Sequence, residues 1–317
     1  MNKYFFYAFV LLFLSLFIGV QGMHAETWRI GTWKTAQTIQ PFFYEDFSGS
    51  ARVQVFPFTN PADQRSALLA GSLDMTGTTL VHAIAAASRG EPVVLVAALC
   101  NKSSALVVHK DSRVQDVAGL KEMSIGYVPG TMHEVLLRET LDQHGVDPER
   151  DVNLRRVDFF DMGTALARGD IDAFLSGEPF PSLAVHQGYG RILTYPYFDD
   201  SIGHINAGLL VTSKTVKERP ELVQSMVNAH MQATEHLTRH KDQWLQAAGD
   251  FGTPIEVLQT AADNMELAWD MDETFVRRVQ KLGARMQELG MIDEQPDYEK
   301  LLNTTFVENA RRQNGHE

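Results

Sequence analysis

Four short stretches of this chain combine hydrogen-bond donors, a cation, an aromatic ring or a carboxylate with tight backbone. In Val128-Pro129-Gly130-Thr131-Met132-His133 a strand ends, Gly130 permits close backbone approach, and a helix begins near Thr131. The N–H groups and dipole at such a helix start favour an anion or a carbonyl-type acceptor, with Thr131 and His133 as added donors. Ordinary helix capping by Thr131 accounts for the same residues. Thr76-Gly77-Thr78-Thr79 repeats the pattern ahead of another helix, with Thr78 and Thr79 supplying hydroxyls. Trp33-Lys34-Thr35-Ala36-Gln37 follows the first strand and offers a ring, an ammonium and an amide suited to a small polar anion or the flat end of an organic ligand. Glu178, in Ser176-Gly177-Glu178-Pro179, either meets an amine on a ligand, pairs with Lys34, or caps the following helix.

Catalytic and metal signatures are missing. His236 and His240 stand at helical spacing, but His236-Leu237-Thr238-Arg239-His240 lacks the glutamate of a zinc-protease motif. Neither a phosphate loop, nor a dinucleotide glycine fingerprint, nor a serine-nucleophile elbow occurs. The sole cysteine, Cys100, has no partner for an internal disulfide and no catalytic surroundings. The expectation is a binding protein with no catalytic residues, metal or cofactor.

The elements that position these stretches include a phrase used twice. Ala67-Leu68-Leu69-Ala70-Gly71-Ser72-Leu73-Asp74-Met75 is echoed 98 positions later by Ala165-Leu166-Ala167-Arg168-Gly169-Asp170-Ile171-Asp172-Ala173. Each copy reads as a helix end, a glycine stop, and an apolar strand carrying an aspartate. Strands are expected at 27–32, 51–56, from Leu73, and at 93–98, with helices at 61–70 (Asn60 as N-cap) and 80–89. A second α/β set follows: strands at 123–128, 152–157 and 171–175, and helices at 132–144, 162–168 and 181–187. Isolated strands at 105–109 and 208–212 bracket that set, and helices at 220–247, 254–269 and 273–289 close the chain. Alternating strands and helices predict an α/β fold with helices on both sheet faces. Two single strands crossing between two lobes predict a hinge. Lobe 1 is then 26–108 plus 209–317, and lobe 2 is 109–208.

Residues 1–25 read as a secretory signal peptide: Lys3, then an apolar run from Tyr4 to Val20, then small residues up to Ala25. Removing them takes the formal charge from −12 to −13, because Lys3 is their only charged residue. An acidic surface argues against nucleic acid and anionic lipid as partners. With no cysteine near the leader, no lipid anchor is expected, and no stable membrane insertion after cleavage.

These residues together resemble a known family, the periplasmic substrate-binding proteins of nitrate/sulfonate/taurine/bicarbonate ABC importers. The resemblance rests on Ala118-Gly119-Leu120-Lys121, Gly130-Thr131-Met132-His133, the 165–173 phrase, Ser176-Gly177-Glu178-Pro179-Phe180 and Arg219-Pro220-Glu221-Leu222-Val223. One departure is the first helix, after Gln40-Pro41-Phe42-Phe43-Tyr44, which Ser48-Gly49-Ser50 cuts short. The resemblance implies a two-lobed, type II periplasmic binding protein that closes over its ligand and delivers it to an ABC transporter permease. It also implies that Trp33, Lys34, Gln37, Thr78, Thr79, Gly130, Thr131, His133 and Glu178 line the cleft. The expected ligand is a small anionic or zwitterionic solute, an organosulfonate such as taurine ahead of nitrate. A pyrimidine-type vitamin precursor is the alternative. An enzyme of the same fold, of the menaquinone or pyrimidine synthesis type, conflicts with the secretory leader.

Overall fold

The computed structural model describes residues 26–58, 61–197 and 202–315; the leader at 1–25 and the expected N-cap at Asn60 lie outside the described residues. The chain opens with β1 (Thr27–Thr32), 3-10 segments at Ala36–Thr38 and Gln40–Phe47, β2 (Arg52–Pro57), α1 (Pro61–Leu69), β3 (Met75–Thr79), α2 (Leu80–Ser88) and β4 (Val93–Lys102). It continues through β5 (Ser104–His109), β6 (Ser124–Tyr127), α3 (Met132–Gln143), β7 (Asn153–Arg156), α4 (Met162–Arg168), β8 (Ala173–Gly177), α5 (Phe180–His186) and β9 (Gly190–Thr194). It returns as β10 (Ala207–Thr212), α6 (Ser213–Glu218), α7 (Pro220–Arg239), α8 (Lys241–Gly249), α9 (Ile255–Ala261), β11 (Met265–Leu267), α10 (Glu273–Glu288), α11 (Tyr298–Leu301) and α12 (Thr305–Gln313).

Two mixed sheets result, in the orders β11-β4-β10-β3-β1-β2 and β7-β6-β8-β5-β9. In the first, β1 runs parallel to β2 and β3, while β10 lies antiparallel between β3 and β4. In the second, β6 runs parallel to β7 and β8, and β5 is antiparallel to β8 and β9. The chain therefore passes between the sheets twice, from β4 to β5 and from β9 to β10. The expected division after residue 108 differs from this hydrogen bonding: β5 pairs with β8 and β9 along its whole length. Residues 104–108 thus belong to the second sheet.

The echoed phrase has one physical job in both lobes. Asp74 accepts a hydrogen bond from the Arg29 backbone N–H at 2.9 Å, and Asp172 accepts one from the Ser124 N–H at 2.8 Å. In both places the aspartate's own N–H also donates to the carbonyl of that same partner, at 2.8 Å. Each aspartate locks the neighbouring strand at its first residues, so strand register is set by the same device in each sheet.

Three sequence expectations change. Strand β3 starts at Met75 and contains Thr76–Thr79, because those residues pair with Ala207–Leu210 of β10. The long helix expected at 220–247 breaks at His240, whose φ and ψ of −117° and 60° are not helical. Residues 265–267, expected in a helix, extend the edge of the first sheet by pairing with Cys100–Lys102. Sheet pairing overrides local helical periodicity there.

Helix α7 is pinned to the sheet by the fully buried His230. Its Nε2 faces the carbonyls of Ala98 at 2.7 Å and Ala268 at 3.0 Å, so that nitrogen carries the hydrogen. Nδ1 then accepts from the Tyr44 hydroxyl at 2.8 Å. Burial lowers the imidazole pKa to about 4, and burial does the same to His133, also to about 4. Both groups fold neutral and bind fewer protons than in the unfolded chain, where the pKa is about 6.5. Their stabilising contribution is complete above pH ~6.5 and is lost as pH falls toward ~4, by up to roughly 3 kcal/mol each. The urea midpoint should fall progressively over that pH range. His230→Phe should be less stable at pH 7 but show a shallower acid slope; an unchanged slope would refute this account.

Candidate functional site

The C-terminal ends of the parallel strands in both sheets converge on the junction Lys102–Ser103–Ser104. From the first lobe, Gln37 Oε1 accepts a hydrogen bond from Ser103 Oγ. Asn264, just before β11, accepts from the Ser103 N–H at 2.8 Å and donates from Nδ2 to the Ser104 carbonyl at 3.2 Å. From the second lobe, His133 Nδ1 lies 3.0 Å from Ser104 Oγ, and the Glu178 N–H donates to the Ser103 carbonyl at 2.7 Å. The Tyr197 hydroxyl donates to the Ser104 carbonyl at 3.0 Å while accepting from its N–H. His133 fits only because residue 177 is glycine: a Cβ there would stand 2.9 Å from the imidazole Cε1 and Nε2.

Glu178 bridges the lobes. It is 2% exposed, its Oε1 accepts from Asn264 Nδ2 at 3.0 Å, and its Oε2 accepts from the Ser182 N–H at 3.2 Å. Burial raises its carboxyl pKa against the lowering effect of those donors. Each oxygen thus has a donor within the protein, and the bond from the Ser182 N–H is the capping contact.

The helix start at Gly130–His133 is likewise filled from within. Gly130 adopts φ +72°, and its N–H donates to Glu134 Oε2 at 2.7 Å. Thr131 Oγ1 donates to the Val128 carbonyl at 2.7 Å and accepts from the Glu134 N–H at 3.4 Å. Arg138 holds the other Glu134 oxygen at 3.1 Å. The chain thus supplies its own carboxylate where an external anion was expected. The signal was legible as Thr-x-x-Glu, a capping box shifted outward by one residue. Thr79 has a comparable role, with Oγ1 2.8 Å from His82 Nδ1 and accepting from the His82 N–H at 3.4 Å.

Three expected residues keep unspent capacity. Lys34 is exposed and has no ion pair among the described residues. Thr78 is 2% exposed, and its hydroxyl has no hydrogen-bond partner among the described residues. Trp33 is half-buried, with its ring edge (Cζ3) 3.8 Å from where a Cβ on Gly77 would stand.

Sequence reasoning missed the aromatic wall of the second lobe. Phe159 meets His133 edge-on at 5.7 Å between ring centroids and stacks with Phe180 at 6.1 Å. Phe160, 76% exposed, meets Phe180 edge-on at 5.4 Å. The run Asp158-Phe159-Phe160-Asp161 was the available signal, since a doubled phenylalanine in a polar loop is seldom a core feature.

Elsewhere the bland readings hold. Burial pushes the Cys100 thiol up to about 12, which makes it a poor nucleophile. His236 and His240 stack at 4.3 Å, and His236 Nε2 contacts Gln243 at 2.8 Å. Among the described residues, no group of three His, Cys, Asp or Glu side chains converges to hold a metal. No helix among them is long and apolar enough to cross a membrane. A groove of about 320 Å³ opens behind the junction beside Asn101, Glu266 and Arg278. Its Glu266 is already paired with Lys102 at 2.8 Å, and none of the nine expected residues lines it.

Removing the Glu178 carboxylate leaves the Ser182 N–H unmet and Asn264 Nδ2 with only the Ser104 carbonyl. Glu178→Ala should destabilise the fold by roughly 1–3 kcal/mol in urea unfolding. Combined with Asn264→Ala, the loss should be less than additive; strict additivity would show that the two side chains do not interact.

A family model described as NMT1-like matches residues 35–248, well over half of the chain. The structure is similar to the periplasmic aliphatic sulphonate binding protein SsuA from Escherichia coli, with TM-score 0.77, 20% identity, and coverage of 87% of this chain and 91% of that one. It is similar to the periplasmic nitrate-binding protein NrtA from Synechocystis PCC 6803, with TM-score 0.76, 16% identity, and coverage of 92% and 89%. Among curated sequences, the 4-amino-5-hydroxymethyl-2-methylpyrimidine phosphate synthase of Schizosaccharomyces pombe is 28% identical over 121 residues, 38% of this chain and 34% of that protein. The chain spans about a third or less of the length of the curated relatives it matches.

Proposed function

This chain belongs to the NMT1-like family, and from that membership, the two-lobed fold and the chemistry at the junction we propose that it is the solute-binding component of an ABC importer. It takes up a small organic anion, an organosulfonate ahead of nitrate, and passes it to a permease. The leader reading and the structural similarity to periplasmic binding proteins support action in the periplasm. The carrying observation is an uncommitted cation on one lobe and an aromatic wall on the other, both linked to one junction. Lys34 and Thr78 offer charge and a donor from the first lobe, and Phe159, Phe160 and Phe180 offer an apolar face from the second. Both sets are tied to the Ser103–Ser104 junction, through Gln37 and His133 respectively.

Such a site rewards an oxyanion head carried on an apolar body. Nitrate has the charge but nothing for the ring wall to cover. Glu178 gives no reason to favour an amine on the ligand, because its oxygens are satisfied within the protein. Closure of the lobes expels water and strengthens the contact to Lys34, so affinity tracks the closed population.

A binder suits the site better than an enzyme. Ser104 is fully buried and its hydroxyl meets His133, and no carboxylate among the described residues bonds to the imidazole to complete a relay. The stacked rings also suit a flat heterocycle, and the similarity to the pyrimidine phosphate synthase adds weight to that second reading.

Calorimetric titration of benzenesulfonate, ethanesulfonate, nitrate and an aminopyrimidine separates the possibilities. Benzenesulfonate should bind most tightly. Lys34→Ala should weaken it by about tenfold or more, the scale of a lost charged hydrogen bond. Nitrate binding as tightly as benzenesulfonate would rule out the role of the aromatic wall. Binding of the aminopyrimidine with no sulfonate binding would transfer the assignment to the heterocycle.

A further inference from the structure

Gln64 is fully buried, and among the described residues neither Nε2 nor Oε1 of its carboxamide has a hydrogen-bond partner. Buried polar side chains are nearly always paired, so an amide left unmet at both ends calls for an explanation. A leucine would fill the same volume without that loss, which makes glutamine a costly choice for packing alone.

The fold places the helix turn that carries this buried amide at the end of the sheet where the cleft opens. Helix α1 leaves the C-terminal end of β2 and crosses to β3, packing against β3 and β10. Because β1, β2 and β3 are parallel, the first turn of α1 lies at the strand ends where Trp33, Lys34 and Thr78 also lie. Gln64 shares the inward face of α1 with the fully buried Leu68, four residues on, and stands one turn nearer that rim. Its neighbour Arg65 lies close enough to His82, in the first turn of α2, to add to the burial that lowers the His82 pKa. The first turns of α1 and α2 are therefore adjacent, with Thr78 just ahead of the second.

We infer that Gln64 is a ligand-recognition residue of this cleft, its carboxamide donating to the oxyanion head of the solute and accepting from an N–H or O–H on the same molecule. This rests on the solute-binding reading above and narrows it. Thr78, on the strand against which α1 packs, supplies a second donor. A carboxamide carries two donor hydrogens and an acceptor oxygen, so a solute offering acceptors alone leaves Oε1 unmet. The favoured class is an organosulfonate bearing an amino or hydroxyl group, selected by Gln64 rather than by Glu178.

Taurine and ethanesulfonate differ at the amino group and make the test. The wild-type protein should bind taurine at least about tenfold more tightly, in line with the discrimination of a buried polar group against a ligand lacking its partner. Gln64→Leu should abolish that preference while the melting temperature of the unliganded protein holds or rises. A Gln64→Leu protein that keeps the wild-type ratio would overturn the inference, as would a fall in melting temperature with the ratio unchanged. If the wild type binds neither sulfonate, the transport reading fails, and a crystal structure of the protein then judges Gln64 separately. Ordered water linking its amide to the cleft supports a recognition role, and hydrogen bonds from the amide to protein groups exclude it.

Discussion

The structure turns on two residues that adopt a backbone shape they do not favour. Lys102 and Ser103, where β4 ends and β5 begins, have φ of +55° and +81°. Each left-handed non-glycine residue costs on the order of 1–3 kcal/mol and persists only where surrounding bonds hold it. Those bonds are all present: Asn206 Nδ2 to the Lys102 carbonyl at 2.8 Å, Ser103 N–H to Asn264, and Glu178 N–H to the Ser103 carbonyl. The partners come from the returning crossover, the edge of the first sheet and the end of β8. Residues remote in sequence are thus recruited to hold a single bend, and that bend fixes how the two sheets face each other.

The same recruitment sets the electrostatics of the cleft. His133 is neutral, the Glu178 carboxyl is pushed toward its neutral form, and Glu134 is neutralised by Arg138. On a chain of formal charge −12, the floor of the cleft therefore presents little net charge. The sign of what binds there is left to Lys34, a single ammonium on the first-lobe rim. A further pair, Arg285 on α10 with Asp142 on α3, joins the lobes on their outer side and stays largely outside this balance.

The fold was legible in the sequence where local pattern and final pairing agree. Alternation at 27–32, the cap at Thr131, and the duplicated glycine-stopped phrase each predict what forms, because short-range geometry alone sets them. The site was less legible. Gln37, His133 and Glu178 were expected to line the cleft and in the structure bond to the bend, whose residues Ser103, Ser104 and Asn264 give no local sign of their role. Asn264 is invisible for a plain reason: its task depends on β11, a three-residue strand in a stretch whose periodicity reads as helix. Phe159 and Phe160 were overlooked because chemistry was sought in donors and charges, whereas a ring wall works by the area it covers.

The position of β10 governs when each lobe can be completed during synthesis. Residues 104–194 supply every strand of the second sheet in one unbroken stretch, register lock included. The first sheet cannot join β3 to β4 until residues 207–212 emerge, since β10 is the only strand between them. In chain order the strands of the second sheet are therefore complete while the first still lacks the strand that joins its halves. Late steps in folding belong to the older part of the chain, and an encounter with a chaperone or translocation factor before residue 207 meets the open edges of β3 and β4.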